Sequence, residues 1–174
     1  MTSLLMKHPL RFFLFVAALA GLVVTAGCKS KTEKKDFETV IARFLIEADT
    51  GDAFATVTLP VSGVQISVNN RPVVTEFDFT GVQLAKGDLG QFLVFMLTPD
   101  ATRDVYRVTA SNQGKRLVLF INGTPVGARM IDRPFNTGAI TVFAAIADKD
   151  LPELVKNMDA TSVDIQKKLE KAKK

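Results

Sequence analysis

The chain of 174 residues has one cysteine, one histidine, one tyrosine and no tryptophan. A single cysteine cannot form an internal disulfide and is too few for a typical zinc site. The histidine, His8, stands in the N-terminal segment, so the rest of the chain has no His base, His metal ligand or Ser–His pair. It also has no glycine-rich phosphate loop and no stripe of basic and aromatic residues. We therefore expect no enzyme activity, no cofactor, no metal and no nucleic-acid binding.

The single cysteine, Cys28, follows a segment with the pattern of a secretory signal. Lys7 and Arg11 give a basic start, and residues 12–24 are all apolar or Gly. This run is shorter than the roughly 20 residues of a membrane-spanning helix, but it suits the core of a signal peptide, which has about 7–15 residues. Thr25-Ala26-Gly27 then leads into Cys28, which resembles the lipobox of bacterial lipoproteins, with Thr25 where Leu is more usual.

The lipobox resemblance implies that residues 1–27 are a signal peptide and that the sulfur of Cys28 carries lipid such as palmitate. Several acyl chains anchor a protein stably, whereas one holds it weakly. The alternative is an uncleaved membrane anchor with an incidental cysteine. The implied location is the bacterial cell envelope, with the protein lipid-anchored and facing the periplasm. Lys29 replaces the Asp that is associated with inner-membrane retention in enterobacteria, which favours the outer membrane over the inner one.

The rest of the chain divides into three segments by composition. We predict a lysine-rich tether over residues 28–37, a folded domain over residues 38–160 and a polar, lysine-rich tail over residues 161–174. Because Lys7 and Arg11 are the only charged residues before Cys28, removing the signal lowers the net charge from +4 to +2. Terminal lysines usually keep a chain solvated, and contact with anionic lipid is the alternative.

The first half of the domain has the composition and alternation of β-strands. Clusters of turn-forming residues separate these apolar stretches. The predicted strands are Thr39–Ala48, Ala53–Leu59, Gly63–Asn69 and Val73–Leu84, with predicted turns at Asn69–Pro72 and Lys86–Asp88.

A strand followed by a helix is predicted after Gln91. Residues 91–97 are continuously apolar after the first, and Thr98-Pro99 then supplies a helix cap and a proline for the first helical position. The buried stripe of this helix is predicted to contain Ala101, Val105 and Val108, and Gly114 is predicted to end it.

A hairpin is predicted next, because two apolar runs flank Asn122-Gly123, a pair that favours tight hairpin turns. A strand over Ala139–Ile146 follows, and a second helix is predicted to begin at Asp150, with Glu153 completing its cap. These patterns predict an α+β fold, in which a mostly antiparallel sheet has two helices packed on one face and is preceded by extra N-terminal strands.

Asp49-Thr50-Gly51 is the tripeptide of aspartic proteases. Those enzymes need two such carboxylates that share a proton. A single copy would therefore require a dimer, and the alternative is a polar turn between two strands. We interpret these residues as a turn.

The stretch from Phe95 to Ile131, with the strand and helix after it, is similar to the head subdomain in the first periplasmic domain of SecD. SecD is an accessory subunit of the bacterial protein-export translocase. In that family a strand leads into a helix, Gly-(Lys/Arg)-Leu opens a hairpin, and a glycine-rich turn, a strand and a short helix follow. Gly114, Leu117, the Asn122-Gly123 tip and Ile131 match this pattern, and Thr75-Glu76 lies close to it.

The resemblance covers about residues 64–159 and implies a ferredoxin-like, SecD-head-like domain. Two departures stand out: Arg129-Met130 replaces the family's usual Ala-Pro, and Asn136-Thr137-Gly138 shortens the glycine turn. The transmembrane bundle through which SecD uses the proton gradient has no counterpart in this sequence. The resemblance therefore does not imply translocation activity, since one fold supports many functions.

Two functional hypotheses remain. The first is a non-catalytic interaction module that contacts extended or exported polypeptides or components of the Sec translocase, because the SecD head is held to contact emerging chains. The second is an envelope scaffold lipoprotein with no peptide ligand. An exposed sheet edge is one candidate surface; the alternative for the second hairpin strand is simply a strand with one face in the core. The candidate interaction hairpin comprises Asn122, Gly123, Thr124, Val126, Arg129 and Ile131.

Overall fold

Two antiparallel sheets and two helices make up the described part of the chain. The structure is a computed structural model and describes residues 36–49 and 51–173. The α+β class, the antiparallel pairing and the two helices confirm the prediction, but the strands divide between two sheets. The elements are β1 (Ala42–Glu47), β2 (Ala55–Thr58), β3 (Gln65–Val74), β4 (Phe79–Gly87), β5 (Gly90–Leu97), α1 (Pro99–Ala110), β6 (Arg116–Ile121), β7 (Thr124–Met130), β8 (Ala139–Val142) and α2 (Leu151–Ala172).

The five-stranded sheet has the order β2-β3-β1-β6-β7, and the three-stranded sheet has the order β4-β5-β8. Strand β1 was expected among extra strands that precede the sheet. It lies instead in the middle of the larger sheet, where Phe44 is paired with Val74 of β3 and Leu119 of β6. The first strand of the domain therefore depends on partners from both halves of the chain.

The predicted turn at Asn69–Pro72 is wrong, because these residues lie within the ten-residue strand β3. Pro72 is opposite Leu45 of β1, next to register shifts in that pairing. A proline is accepted in a sheet where it does not have to donate a ladder hydrogen bond, and bulges provide such places. The turn at Lys86–Asp88 is confirmed in position, since β4 ends at Gly87 and β5 begins at Gly90.

Helix α1 begins as the sequence predicts. The hydroxyl of Thr98 accepts a hydrogen bond from the amide of Ala101 at 3.2 Å, and Pro99 occupies the first turn. Ala101 and Val105 are buried. The helix ends at Ala110, earlier than Gly114, whose φ of +86° places it in the turn before β6. Among the described residues, neither helix combines the length and the apolar character needed to cross a bilayer.

Helix α2 continues through Ala172, past the point where a polar tail was predicted to begin. Thr161 and Ser162 are buried, and the hydroxyl of Thr161 accepts a hydrogen bond from the amide of Val40 at 3.1 Å. The Gln166 side chain donates to the carbonyls of Phe77 and Phe79, each at 2.9 Å. These contacts with Val40 and with the start of β4 hold residues 161–166 against the domain, although their composition is polar. Asp150 precedes the helix without a side-chain cap.

Three phenylalanines form the centre of the main core, which both sheets and both helices share. Phe44 comes from β1, Phe79 from β4 and Phe95 from β5, and all three are at most 2% exposed. The Phe44 and Phe95 rings are 5.1 Å apart and nearly perpendicular, and Phe79 lies 5.0 Å from Phe95. Edge-to-face rings at such distances attract each other beyond the burial of their area. This cluster therefore joins the two sheets.

Two ion pairs connect elements at the side of the larger sheet. Arg43 donates from Nε and Nη2 to the Glu76 carboxylate at 2.8 and 2.7 Å. Arg116 donates from Nε to Glu47 at 2.8 Å, and its Nη2 contacts the same carboxylate. The hydrogen bonds from the guanidinium groups hold the pKa of Glu76 and the pKa of Glu47 below their ordinary values. A carboxylate with a lowered folded pKa stabilises the fold above its unfolded pKa.

Acidification is therefore expected to lower the melting temperature. The stabilisation by Glu47 and Glu76 should be complete above about pH 4.3, the unfolded pKa of glutamate, and should fade as the pH drops through their lower folded pKa values. Thermal unfolding followed by circular dichroism at a series of pH values checks this. Glu76→Gln should lower stability at neutral pH and weaken the acid dependence, whereas Asp88→Asn, at an exposed turn, should leave both unchanged. An acid dependence that Glu76→Gln leaves intact would contradict this assignment.

Candidate interaction surface

The predicted hairpin is present as β6 and β7. Asn122 and Gly123 form its turn with φ values of 48° and 80°, as a tight hairpin turn requires. The side-chain oxygen of Asn122 accepts a hydrogen bond from the backbone amide of Ile41 at 2.9 Å. The backbone amide of Asn122 donates to the Ile41 carbonyl at 2.8 Å. The tip of the hairpin is therefore attached to the residue before β1.

The six predicted interaction residues have different environments. Asn122, Gly123 and Thr124 are exposed at the tip. Val126 and Ile131 are buried in the core, so their proposed role in an interaction surface is wrong. Simple alternation would put Val126 and Ile131, five positions apart, on opposite faces, but a register shift in the β6–β7 pairing leaves Val126 unpaired, and both residues lie in the main core. Arg129 is half-buried and lies where β7 approaches the other sheet.

Arg129 connects the two sheets through its guanidinium. Its Nη1 donates to the carbonyl of Thr141 in β8 at 3.1 Å and also contacts the Thr141 hydroxyl. The guanidinium carbon lies 4.9 Å from the centre of the Phe135 ring, a cation–π distance. These contacts give the side chain a fixed position.

A cleft of about 440 Å³ opens beside Arg129, between β7 and β8. Met130 is 53% exposed and Phe143 is 49% exposed there, and the rings of Phe92 and Phe143 lie 5.6 Å apart. Exposed apolar groups gathered in one concave place are typical of a binding site. We call this space the β7/β8 cleft. It is lined by Phe92, Ala128, Arg129, Met130, Asp132, Thr141, Val142 and Phe143.

Strand β7 forms one wall of this cleft and is an edge of the larger sheet. Ile131, just after it, exchanges backbone hydrogen bonds with Gly114 and Lys115 on the β6 side. The N–H and C=O groups of successive residues in a strand point alternately to its two sides. Because Arg129 faces β6 by the same alternation, the N–H and C=O groups of Ala128 and Met130 are directed away from β6, into the cleft.

The other sheet edges differ from β7. Helix α2 covers β4, since Asp159 accepts from the amide of Val82 at 3.0 Å and Gln166 binds carbonyls at the strand's start. Arg129 occupies the Thr141 carbonyl on β8. Strand β2 has four residues and exposes Thr56 and Thr58. Strand β7 has Ala145 bonded to its Val126 carbonyl, but beyond that point Ala128 and Met130 direct backbone groups into an apolar cleft.

A second space also borders Arg129, and we call it the Arg133 pocket. It has a volume of about 500 Å³ and a more polar wall than the β7/β8 cleft. Arg129 and Thr141 line both spaces. The Arg133 pocket is lined by Tyr106, Arg129, Arg133, Pro134, Phe135, Asn136, Thr137, Ala139 and Thr141.

The Asp49-Thr50-Gly51 sequence lies far along the chain from either space. The Asp49 carboxylate accepts a hydrogen bond from Lys115 Nζ at 2.7 Å and is exposed. Thr50 lies outside the described residues. An exposed, ion-paired aspartate agrees with the interpretation of this tripeptide as a polar turn.

Cys28 and the signal and tether predictions for residues 1–35 lie outside the described residues. They stay predictions. The described chain begins at Asp36, near the end predicted for the tether.

Sequence reasoning found Arg129 but missed most of the surface around it. Phe143 was placed inside a strand over Ala139–Ile146, whereas β8 ends at Val142 and leaves Phe143 half-exposed. Met130 carried a usable signal, because Arg129-Met130 departs from the pattern of the SecD family. Arg133 and Tyr106 carried none, since only the fold brings the β7–β8 loop against α1.

Comparison with known proteins shows the fold through structure alone. No protein-family model matches the chain, and no curated protein matches it. A structure of the membrane component SecDF, which enhances protein export, is similar with a TM-score of 0.57 and 17% identity over 72% of this chain and 64% of that one. SecDF in a super-membrane-facing form is similar with a TM-score of 0.57 and 18% identity over 71% of this chain and 19% of that one.

The likeness confirms the SecD-like fold. It covers more of this chain than residues 64–159, the range of the sequence resemblance. The chain spans less than two thirds of the length of either SecDF structure. At such low identity the comparison establishes the architecture, so the function has to be argued from this chain's own surface.

Proposed function

We propose that this domain is a non-catalytic interaction module that binds extended polypeptide segments in the β7/β8 cleft. The observation that carries the proposal is the position of an edge strand beside an apolar cleft. A peptide added to β7 would form hydrogen bonds with Ala128 and Met130 and place alternate side chains against Phe92 and Phe143. In strand addition, the backbone hydrogen bonds supply the affinity and the pockets for alternate side chains supply the selectivity.

The partner we propose is an exported polypeptide or a component of the Sec translocase. The fold is shared with SecDF, which enhances protein export, and this supports a ligand of that kind. Exported chains in an unfolded state offer the extended backbone and apolar side chains that the cleft would accept. We further propose that a lipid on Cys28 holds the module in the cell envelope, facing the periplasm, with the outer membrane favoured.

Loss of apolar character in the cleft is expected to weaken peptide binding. Met130→Asp combined with Phe143→Asp should lower the affinity for an extended peptide at least about tenfold, because two large apolar contacts are replaced by charges. Fluorescence anisotropy of a labelled valine–serine peptide, with the full chain in lipid nanodiscs, measures this. Leu89→Asp is the control, since Leu89 is 86% exposed at the β4–β5 turn, outside the cleft. Equal loss in the control, or no loss in the double variant, would contradict the proposal.

Removal of the predicted lipid site should change where the protein fractionates. We expect Cys28→Ala to leave the precursor unprocessed or to release the protein from membranes, because the modified sulfur would be gone. Membrane fractionation with metabolic labelling by a palmitate analogue tests this. Cys28→Ala that is still processed and still lipid-labelled would contradict the anchor.

An envelope scaffold without a peptide ligand is the second candidate. Exposed apolar residues outside the cleft favour it, since Phe54 is 72% exposed and Val61 is 98% exposed with a φ of 68°. A positive φ is unusual for a β-branched residue such as Val61. In-cell crosslinking and mass spectrometry separate the candidates: varied exported chains or translocase subunits support peptide binding, whereas one dominant envelope partner supports the scaffold.

A further inference from the structure

The Arg133 pocket has walls that are fixed by the fold. The amide of Phe135 donates to the hydroxyl of Thr109 in α1 at 2.9 Å, in a buried position. The carbonyl of Gly138 accepts from the amide of Leu97 in β5 at 2.9 Å. The loop between β7 and β8 is therefore held to a helix and a strand at two points. A pocket between such walls is largely formed before a ligand arrives.

The guanidinium of Arg129 is positioned before binding. Its Nη1 donates to Thr141, and its central carbon lies over the Phe135 ring. A guanidinium also carries donors on Nε and Nη2, in a fixed fork that matches a carboxylate. A donor that is already held loses little side-chain entropy on binding.

The charge of the pocket has one sign. Arg129 and Arg133 contribute two cations, and none of the described residues that line the pocket is acidic. Asp132 lines the β7/β8 cleft instead. The acids on the neighbouring surface of α1 are already engaged, because Asp100 is paired with Arg103 and Asp104 with Arg107. Tyr106, Asn136 and Thr137 add neutral polar side chains, so the wall is suited to an anion.

We propose that the Arg133 pocket binds a carboxylate carried by the polypeptide that occupies the β7/β8 cleft. Because Arg129 lines both spaces, a chain in the cleft can place a carboxylate in the adjoining pocket. Two guanidinium groups give charge-assisted hydrogen bonds to such a group. The source is an acidic side chain or the C-terminal carboxylate of the chain. This inference rests on the proposed peptide binding and adds to it a preference for polypeptides that carry a carboxylate at this position.

Three labelled valine–serine peptides test the inference by anisotropy, with the full chain in nanodiscs. The first is amidated and neutral, the second is amidated with one central glutamate, and the third has a free C-terminus. We expect one of the two acidic peptides to bind about tenfold more tightly than the neutral one. The peptide with the gain identifies the source of the carboxylate.

Arg133→Gln should remove this gain and leave the affinity for the neutral peptide within about twofold. Arg71→Gln is the matched control, because it removes the same charge from an exposed position in β3, outside the pocket. A gain that persists in Arg133→Gln, or that disappears equally in Arg71→Gln, would overturn the pocket.

The outcomes separate the two proposals. Equal binding of all three peptides would overturn the carboxylate pocket and leave the cleft as a peptide site. If none of the three peptides binds, the proposed function fails. The carboxylate pocket is then tested separately, by titrating the protein with acetate. Saturable shifts of the Arg129 and Arg133 side-chain signals in ¹⁵N NMR would support a carboxylate site, whereas the absence of shifts would overturn it.

Discussion

Replacing Phe95 with alanine is expected to lower the free energy of unfolding by about 3–5 kcal/mol, which is the usual cost of removing a buried phenylalanine. The ring is fully buried between Phe44 and Phe79, at centroid distances of 5.1 and 5.0 Å. Because these residues come from both sheets, the cavity would open at the place where the sheets are joined. A change of this size is a large share of the stability of a small domain.

Chemical unfolding of the full chain, followed by circular dichroism, measures the effect of Phe95→Ala. Phe54→Ala is the matched control, since it deletes the same ring from a side chain that is 72% exposed. Its cost should stay within about 0.5 kcal/mol. Similar losses in the two variants would mean that the phenylalanine cluster does not hold the sheets together.

Gly127→Ala is expected to cost about 3 kcal/mol, at the upper end of what overpacking usually costs. A Cβ atom at Gly127 would lie 2.2 Å from the carbonyl oxygen of Phe143. Backbone cannot rotate away as a side chain does, so β7 and the segment after β8 would have to separate. The hydrogen bond from Ala145 to the Val126 carbonyl, 2.6 Å long, lies at the same contact and should weaken.

Gly87→Ala is the control for this variant. A Cβ at Gly87 would meet only the Phe92 ring, at 3.5 Å, which is ordinary contact. The melting temperature should therefore drop for Gly127→Ala and stay nearly constant for Gly87→Ala. A Gly127→Ala protein as stable as the parent would show that β7 and Phe143 are not in this close contact.

Features determined by short stretches of sequence could be predicted. Thr98-Pro99 specifies the start of α1 because the cap and the proline act within one turn. Asn122-Gly123 specifies the hairpin because its residues adopt the positive φ values that a two-residue turn needs. Both predictions are confirmed at the level of individual residues.

Features determined by distant contacts could not be predicted. Asn69–Pro72 has the composition of a turn, and pairing with β1 keeps it in a strand. Residues after Ala160 have the composition of a tail, and contacts with Val40 and Phe79 keep them helical. The division of the strands between two sheets belongs to the same class, since alternation does not reveal which strands pair.

The candidate site shows the same limit. Arg129, Val126 and Ile131 were all included as parts of one predicted hairpin, and the sequence did not show that Val126 and Ile131 would be buried. The cleft depends on Phe92 in β5 and on Phe143, the residue just after β8. Arg133 becomes relevant only because a loop is held against α1 by Thr109.

The hydrogen bond between Val40 and Thr161 joins residues that are 121 positions apart, and β1 lies between β3 and β6 in its sheet. The ribosome makes the N-terminus first, so β1 can pair with β3 early, whereas its other neighbour β6 and the Thr161 partner of Val40 come later. Contacts over such separations form slowly because a long loop must close first. The native surroundings of β1 are therefore completed only after α2 has been made.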